Sequence, residues 1–445
     1  MLVHICRRWR NLAFTSPRHL NLQLFYRTPT RSVKKMLEIW PELPVFVYNI
    51  DCQTKEARDD VAAALRLNHR VSGIRLEKIL DSGWETFVSL MQRPFPVLRH
   101  LWVQPSILVK NPISRSFLSG SASCLRDLLL IGVPFPALPE LLLSATNLVH
   151  LILDNIPPSG YISPQAMATG LSALTRLQVL FLSSGSPQDP PHTTIRIPPQ
   201  CVRTLLPALT DLRFRGAPEY MEDLVAQIDA PLLENMIITL FRRKVLEVSE
   251  LAKFVRRAEK LSLVDRVEIT FKPACTFVGL SRESLLGRFY PKTLTLNLAC
   301  RERHLGLSYL AQICASCLPT LSPFECLHIP SPIHFTWQDV IDDPDPQWLE
   351  LLCLFNTVKH LRLSKPISFR VAQALSGLPA ERVTEVLPAL EIVFISGLEP
   401  FGPVKDAISH FADARQLSGH PVSICDWEGW GQGVHNIVYR GVGDG

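Results

Sequence analysis

The segment LVHLIL, residues 148–153, is the clearest copy of a six-residue pattern that decides the fold of this chain. Apolar side chains occupy its first, fourth and sixth positions, and the last two follow the two-residue alternation of a β-strand. The pattern occurs twelve times, at intervals of 23 to 34 residues that average 29. The copies begin at Val71, Leu98, Leu125, Leu148, Leu177, Leu209, Leu233, Val264, Pro291, Phe324, Val358 and Leu390.

An interval of this length holds one strand, one turn and one helix, and self-similarity at such a period is typical of stacked repeat proteins. Strands that alternate with helices predict a single file of parallel strands covered by helices. Each unit buries its apolar face only against its neighbours, so the sequence predicts an α/β solenoid, a horseshoe with the sheet on its concave face and helices on its convex face. Segments of helical period lie at Pro164 to Thr175, Glu219 to Ile228, Leu307 to Leu318 and Phe369 to Leu378.

The composition excludes several functional classes. The 445 residues carry a net charge of only +5, with 46 basic and 41 acidic residues mixed along the chain, which argues against a dedicated nucleic-acid or membrane-surface protein. The eleven cysteines have no framework spacing and indicate reduced thiols inside a cell. No apolar run reaches the roughly 18 residues of a membrane span. We therefore expect a cytoplasmic or nuclear monomer that binds neither nucleic acid nor membrane.

The repeat resembles the leucine-rich repeat, with one departure. That family places Asn or Cys three residues after the third apolar position, where it bonds the backbone of neighbouring turns. No copy in this chain has Asn or Cys at that place. The resemblance therefore implies a leucine-rich-repeat-like array that is irregular, with uneven curvature.

The first residues do not belong to the array. Leu2, Ile5, Trp9 and Leu12 recur at helical spacing, which predicts a short amphipathic helix whose apolar stripe must be covered. Its other face carries Arg7, Arg8 and Arg10, which an ordinary solvated face would also explain. Two further helices, predicted at Lys34 to Ile39 and Lys55 to Leu67, would shield the first strand.

The segments VHICRRWRNLAF, residues 3–14, and SPRHL, residues 16–20, resemble the C-terminal half of an F-box. The whole chain is similar to the large F-box group of mushroom-forming fungi, which shares features like IWPELP at 39–44 and ARQLSGHPV at 414–422. The resemblance implies a substrate receptor of an SCF-type, cullin-RING ubiquitin ligase, in which the box docks a Skp-family adaptor. The adaptor contacts so implied are Leu2, Ile5, Cys6, Arg8, Trp9 and Leu12.

A second hypothesis is a stand-alone repeat scaffold with no ubiquitin role, because the Leu-Pro-x-Glu segment that opens an F-box has no counterpart in the sequence. In both hypotheses the repeats bind a protein target and no residue is catalytic. The predicted organisation is a partial F-box at 1–25, a linker with cap helices at 26–70, the array at 71–400, a C-terminal cap at 401–425 and a loose Gly-rich tail at 426–445.

The target-binding surface follows from strand geometry, since residues between the apolar positions line the concave face. Exposed aromatic and Arg side chains are enriched at binding centres. The same positions include His100, Arg126, Asp127, His150, Asp211, Asp265, Arg266 and Glu268. The predicted contacts are Arg99, Trp102, Leu129, Ile152, Phe181, Arg213 and Arg215, led by Trp102, Phe181, Arg213 and Arg215. Alternatively, Trp102 and Phe181 pack beneath their neighbours and Arg213 is simply solvated.

The sequence carries only weak motifs for catalysis or metal binding. Cys314, Cys317, Cys326 and His328 follow a zinc-like order, but their apolar helical and strand surroundings favour buried thiols. The sequence contains no nucleophile elbow, Walker loop, H-E-x-x-H helix or dinucleotide-binding turn. We therefore expect neither metal nor cofactor. A hydrolase would require a crowded cluster of polar side chains with shifted pKa values at the strand ends.

Overall fold

The computed structural model of the chain describes residues 6–8, 11, 24–27, 44–49, 54–107, 109, 111–184, 203–241, 249–262, 266–272, 275–281, 294–299, 311, 314–315, 324–330 and 347–427. They belong to two compact units. Unit 1 comprises Met1–Gly216 and Asp223–Pro231, and unit 2 comprises Ala217–Glu222 and Leu232–Gly445.

The helices and strands of the described residues alternate through most of the chain. The strands are β1 (Leu24–Arg27), β2 (Val45–Asn49), β3 (Val71–Ile79), β4 (His100–Pro105), β5 (Asp127–Ile131), β6 (His150–Ile156), β7 (Val179–Ser184), β8 (Thr204–Leu205), β9 (Asp211–Gly216), β10 (Ile228–Asp229), β11 (Asn235–Phe241), β12 (Arg266–Lys272), β13 (Cys275–Ser281), β14 (Leu294–Ala299), β15 (Cys326–Ile329), β16 (His360–Leu363), β17 (Ile392–Ile395) and β18 (Ser423–Asp426). The α-helices are α1 (Lys55–Leu65), α2 (Asp81–Leu90), α3 (Leu138–Leu142), α4 (Pro164–Leu171), α5 (Pro218–Val225), α6 (Ser249–Arg257), α7 (Gln347–Cys353), α8 (Lys365–Ser376) and α9 (Pro403–Leu417).

The main sheet of unit 1 is entirely parallel and follows sequence order. Its strands run β1, β2, β3, β4, β5, β6, β7 and β9. The short strands β8 and β10 form a separate parallel pair. Parallel neighbours need a crossover connection, which helices such as α2, α3 and α4 supply here.

Each of the twelve pattern copies coincides with a strand. The strand begins two residues after the first apolar position in every copy except two: β3 begins at Val71 itself, and β14 begins three residues after Pro291. The apolar positions form the core: Leu101, Leu151 and Leu361 are 1%, 0% and 0% exposed. The prediction of an α/β repeat protein built on a large parallel sheet is therefore confirmed at this level.

The sheet of unit 2 departs from the predicted single file of parallel strands. Its order is β11, β14, β13, β12, β15, β16, β17 and β18, and β13 runs antiparallel to both of its neighbours. Only residues 273–274 separate β12 from β13, and so short a connection joins antiparallel strands. The prediction of an all-parallel file was wrong at this point, because the six-residue pattern does not mark β13.

Two strands precede the array, since β2 pairs in parallel with both β1 and β3. The helix predicted from Lys55 is α1, whose N-terminus is capped by the Thr54 hydroxyl accepting from Ala57 N. The helix predicted at Lys34 to Ile39 lies outside the described residues. No helix within the described ranges is long and apolar enough to cross a bilayer.

A buried arginine lies at the C-terminal end of unit 2. Arg415 in α9 is 1% exposed and donates from its guanidinium to the carbonyl oxygens of Val383, Pro388 and Leu390. Burial lowers the pKa of this guanidinium from its ordinary value. A side chain of α9 thereby satisfies backbone carbonyls in the segment that precedes β17.

Candidate functional site

The main sheet of unit 1 directs alternate side chains to opposite faces, as the two-residue strand repeat requires. In β5, Leu128 and Leu130 are buried, whereas Asp127, Leu129 and Ile131 are half-buried. The same alternation holds over the first four residues of β4, β6, β7 and β9. We call the face that carries the half-buried and exposed positions the open face.

One line of open-face residues crosses the strands because the parallel register aligns them. Neighbouring strands lie about 4.8 Å apart, so a line of this kind extends about 29 Å over six strand steps. Every member occupies the fifth position of its pattern copy except the first, which lies on β2. Consecutive register partners define this central row as Tyr48, Arg75, Trp102, Leu129, Ile152, Phe181 and Arg213.

Five of the seven predicted target contacts are consecutive members of the central row. Leu129, Ile152 and Phe181 form its apolar middle and are half-buried, so part of each side chain reaches solvent. Arg213 is exposed and donates from Nε to Asp211 Oδ1 at 2.8 Å. Arg215 is also exposed and pairs in register with Ser183 on β7, one line away from the central row.

Trp102 is partly covered by its neighbours. The Arg75 guanidinium carbon lies 3.5 Å from the centre of the Trp102 ring and 5.3 Å from that of Tyr48. Glu77 Oε1 accepts from Arg75 Nε at 2.9 Å, which fixes the guanidinium over the indole. The Trp102 indole nitrogen is buried without a hydrogen-bond partner in the part of the chain described here. Sequence reasoning did not single out Arg75, although it occupies the fifth position of the first copy.

A His-Asp-His cluster lies one register line from the central row. The Asp127 carboxylate accepts from Nδ1 of both His100 and His150, whose strands flank β5. Burial raises the pKa of Asp127, but hydrogen bonds and charge interactions with the two imidazoles outweigh it, and the net pKa is lowered. Because an ionised carboxylate only accepts, each Nδ1 carries the proton of its hydrogen bond to Asp127.

The same line continues through a glycine that makes room for an aromatic ring. Gly73 pairs in register with Phe46 on one side and His100 on the other. A Cβ atom at Gly73 would lie 2.2 Å from Phe46 Cε2, so the ring occupies the space above the glycine. The centres of the Phe46 and His100 rings are 6.1 Å apart. A side chain at this position would therefore displace the Phe46 ring from the cluster.

Unit 2 carries a second line of register partners, Glu268, His328, Arg362, Phe394 and Cys425. The guanidinium carbon of Arg362 lies 5.5 Å from the ring centre of Phe394 and 5.9 Å from that of Trp427. Trp427 also contacts His328 edge to face at 5.4 Å. The sequence interpretation placed Trp427 in a loose tail and passed over Arg362 and Phe394. The fifth pattern position would have identified these two residues.

The remaining predicted target contact lies elsewhere. Arg99 precedes β4 and is exposed, and it lines a groove at the amino-terminal edge of the unit 1 sheet together with Arg126, which precedes β5. Both occupy the second position of their pattern copies. The first and second residues of the pattern therefore lead into the strand at its edge, and the fifth lies on the open face.

The predicted adaptor contacts are described only in part. Cys6 and Arg8 are exposed, and the backbone is helical at Arg7, Arg8 and Asn11. The predicted contacts Leu2, Ile5, Trp9 and Leu12 lie outside the described residues, as does Arg10.

The cysteines of the zinc-like order are buried where they are described. Cys314 and Cys326 are 2% and 1% exposed, and Cys326 lies in β15 at the third position of its copy. Cys317 lies outside the described residues. Across the described ranges, no group of three or more His, Cys, Asp or Glu side chains could hold a metal ion.

No protein-family model matches the chain, and no curated protein is similar to it. Among solved structures, the leucine-rich-repeat-containing protein LegL7 from Legionella pneumophila is 12% identical, with 88% of this chain and 98% of that chain covered at a TM-score of 0.29. So loose a superposition carries no argument. The fold is therefore defined by the strand pairing and the pattern of burial.

Proposed function

We propose that the chain is a non-catalytic protein-binding scaffold whose target lies along the central row. The observation that carries this proposal is the register alignment of Trp102, Leu129, Ile152, Phe181 and Arg213. An apolar middle flanked by an Arg-aromatic stack and an exposed Arg has the composition of protein-binding centres. The proposal includes an irregular leucine-rich-repeat-like horseshoe, in which the open face is concave.

The test is a change of charge in the middle of the row. Ile152→Asp places a carboxylate there, and we expect it to abolish recovery of proteins that the wild-type chain captures from its own cells. Leu143→Asp is the matched control, because Leu143 is an aliphatic residue outside the row and is 48% exposed. Thermal unfolding of both variants shows that they are folded. Equal capture by wild type and Ile152→Asp would contradict the proposal.

A finer proposal is that this scaffold is an F-box-type substrate receptor of a cullin-RING ubiquitin ligase. It is supported by the resemblance of residues 3–20 to half an F-box and by helical backbone at Arg7, Arg8 and Asn11. The mechanism would be proximity: a target bound on the repeats beside a charged conjugating enzyme has a raised effective concentration. Each apolar side chain of the box, when covered by the adaptor, would contribute about 1.5 to 3 kcal/mol.

Binding to a Skp-family adaptor distinguishes the F-box-type receptor from the stand-alone scaffold. Gel filtration of the full chain with a purified Skp-family adaptor should give a joint peak, and Trp9→Ala should weaken it. Arg7→Ala, on the polar face of the same predicted helix, is the control. Absence of a joint peak, with target capture intact, would leave the stand-alone scaffold.

A further inference from the structure

We infer that the groove at the amino-terminal edge of the unit 1 sheet binds a small ligand that carries two or more phosphate groups. The groove has a volume of about 610 Å³, which is within the range of sites that hold small organic molecules. Three arginines line it, Arg99, Arg126 and Arg176, and none of its lining residues is Asp or Glu. This site is separate from the central row, so the inference does not depend on the proposed function.

The backbone fixes two of these arginines side by side. Arg126 N donates to Arg99 O at 2.7 Å where β4 and β5 begin, so their side chains start from adjacent positions on neighbouring strands. Arg99 and Arg126 are both exposed. Neither guanidinium has a hydrogen-bond or ion-pair partner in the described part of the chain. Two uncompensated positive charges therefore extend from adjacent backbone positions, and a bound anion would lower the Coulomb cost of placing them there.

The third arginine approaches the groove from the loop that precedes β7. Arg176 Nη1 donates to Asn147 Oδ1 at 3.0 Å, and Asn147 Nδ2 donates in turn to Ser123 O at 2.8 Å. A neutral amide thus orients this guanidinium without cancelling its charge. Thr175 and Gln178 add a hydroxyl and an amide to the lining, both able to donate to phosphate oxygens.

Arginines elsewhere in the protein include three that pair with carboxylates. Arg75 pairs with Glu77, Arg213 with Asp211 and Arg382 with Glu385. Guanidinium groups bind phosphate through two parallel N–H···O bonds, and a multiply charged phosphate ligand matches three positive charges better than a single carboxylate does. The groove is also several times larger than one phosphate group, so it has room for a second and for the part of the ligand that links them.

Calorimetric titration of the full chain with tripolyphosphate tests the inference. We expect one site per chain, and loss of affinity by about tenfold or more in Arg99→Gln and in Arg126→Gln, since each removes a charge-assisted bond. Arg93→Gln is the matched control, because Arg93 is exposed in unit 1 and does not line the groove. It should bind within about twofold of wild type.

A second titrant identifies the source of the phosphate groups. A peptide with two phosphoserines that binds more tightly than tripolyphosphate, and is weakened by the same variants, would assign the groove to a phosphorylated chain. Tighter binding of tripolyphosphate would assign it to a free small molecule. No binding of either titrant at millimolar concentration, or equal binding by wild type, Arg99→Gln and Arg126→Gln, would overturn the inference. Thermal unfolding confirms that the exposed substitutions leave the fold intact.

Discussion

The guanidinium of Arg75 stacks on the ring of Trp102, with 3.5 Å between the guanidinium carbon and the ring centre. These residues are register partners on adjacent parallel strands, so the stack is built into the sheet. It covers one face of the tryptophan, while Glu77 holds the guanidinium in place. The central row therefore begins with a preorganised pair, which reduces the side-chain entropy that a partner would otherwise have to remove.

Removal of the stacked cation should be visible in fluorescence. Arg75→Ala is expected to expose the Trp102 ring to water, red-shift part of the emission from the eight tryptophans and cost about 1 kcal/mol of unfolding free energy. Urea unfolding monitored by tryptophan fluorescence measures both the emission shift and the free energy of unfolding. Arg213→Ala, which removes an arginine of the same row without uncovering a tryptophan, should leave the emission unchanged. The assigned stack would be incorrect if the two variants gave the same spectrum.

The His-Asp-His cluster predicts acid sensitivity. The pKa of Asp127 is below its ordinary value of 3.8, so its ionised form stabilises the folded state above that value. This contribution is lost as the pH falls through the lowered pKa. The melting temperature of wild type should exceed that of Asp127→Asn at neutral pH, and the two should converge in strong acid. A difference that is constant down to about pH 2 would refute this assignment.

The contact between α3 and α4 in unit 1 depends on a glycine, which has no side chain. A Cβ atom at Gly170 in α4 would lie 2.8 Å from Pro139 Cα in α3, and backbone at this distance cannot move aside cheaply. Gly170→Ala should destabilise the protein by about 1 to 3 kcal/mol. Gly377→Ala is the control, because its nearest atoms would lie 3.7 and 3.8 Å away. Chemical denaturation gives the free energy of unfolding of each variant. Equal values would mean that α3 and α4 can move apart without cost.

The buried Arg415 should be one of the more sensitive positions of unit 2. Arg415→Ala removes the donors to Val383, Pro388 and Leu390 and leaves buried carbonyls unsatisfied, at an expected cost of about 3 kcal/mol. Arg382→Ala, an exposed arginine paired with Glu385, should change the unfolding midpoint little. Thermal unfolding distinguishes them. If Arg415→Ala melted with wild type, the C-terminal helix would not depend on this side chain.

The sequence was sufficient to predict the regular part of the fold. Periodic burial marks the strand of each of the twelve pattern copies, because only apolar residues satisfy the fourth and sixth positions there. β13 lacks that signal, since it is inserted as half of a hairpin, and β2 lacks it because it precedes the first copy. The strand alternation also placed Leu129, Ile152 and Phe181 on one face. It could not show that Arg75 covers Trp102 or that Asp127 joins two histidines, because those contacts depend on the register between strands and on side-chain conformation.

The pairing of β11 with β14 has a consequence for how the chain assembles. Leu101 and Leu128 are register partners 27 residues apart, whereas Met236 and Leu294 are partners 58 residues apart. In unit 1 each strand can add to the one synthesised just before it. In unit 2, β11 cannot pair with β14 until the β12–β13 hairpin and β14 itself have been synthesised. The larger sequence separation raises the entropic cost of forming that pairing, so this stretch should be the slowest to fold and the most exposed to mispairing with other chains.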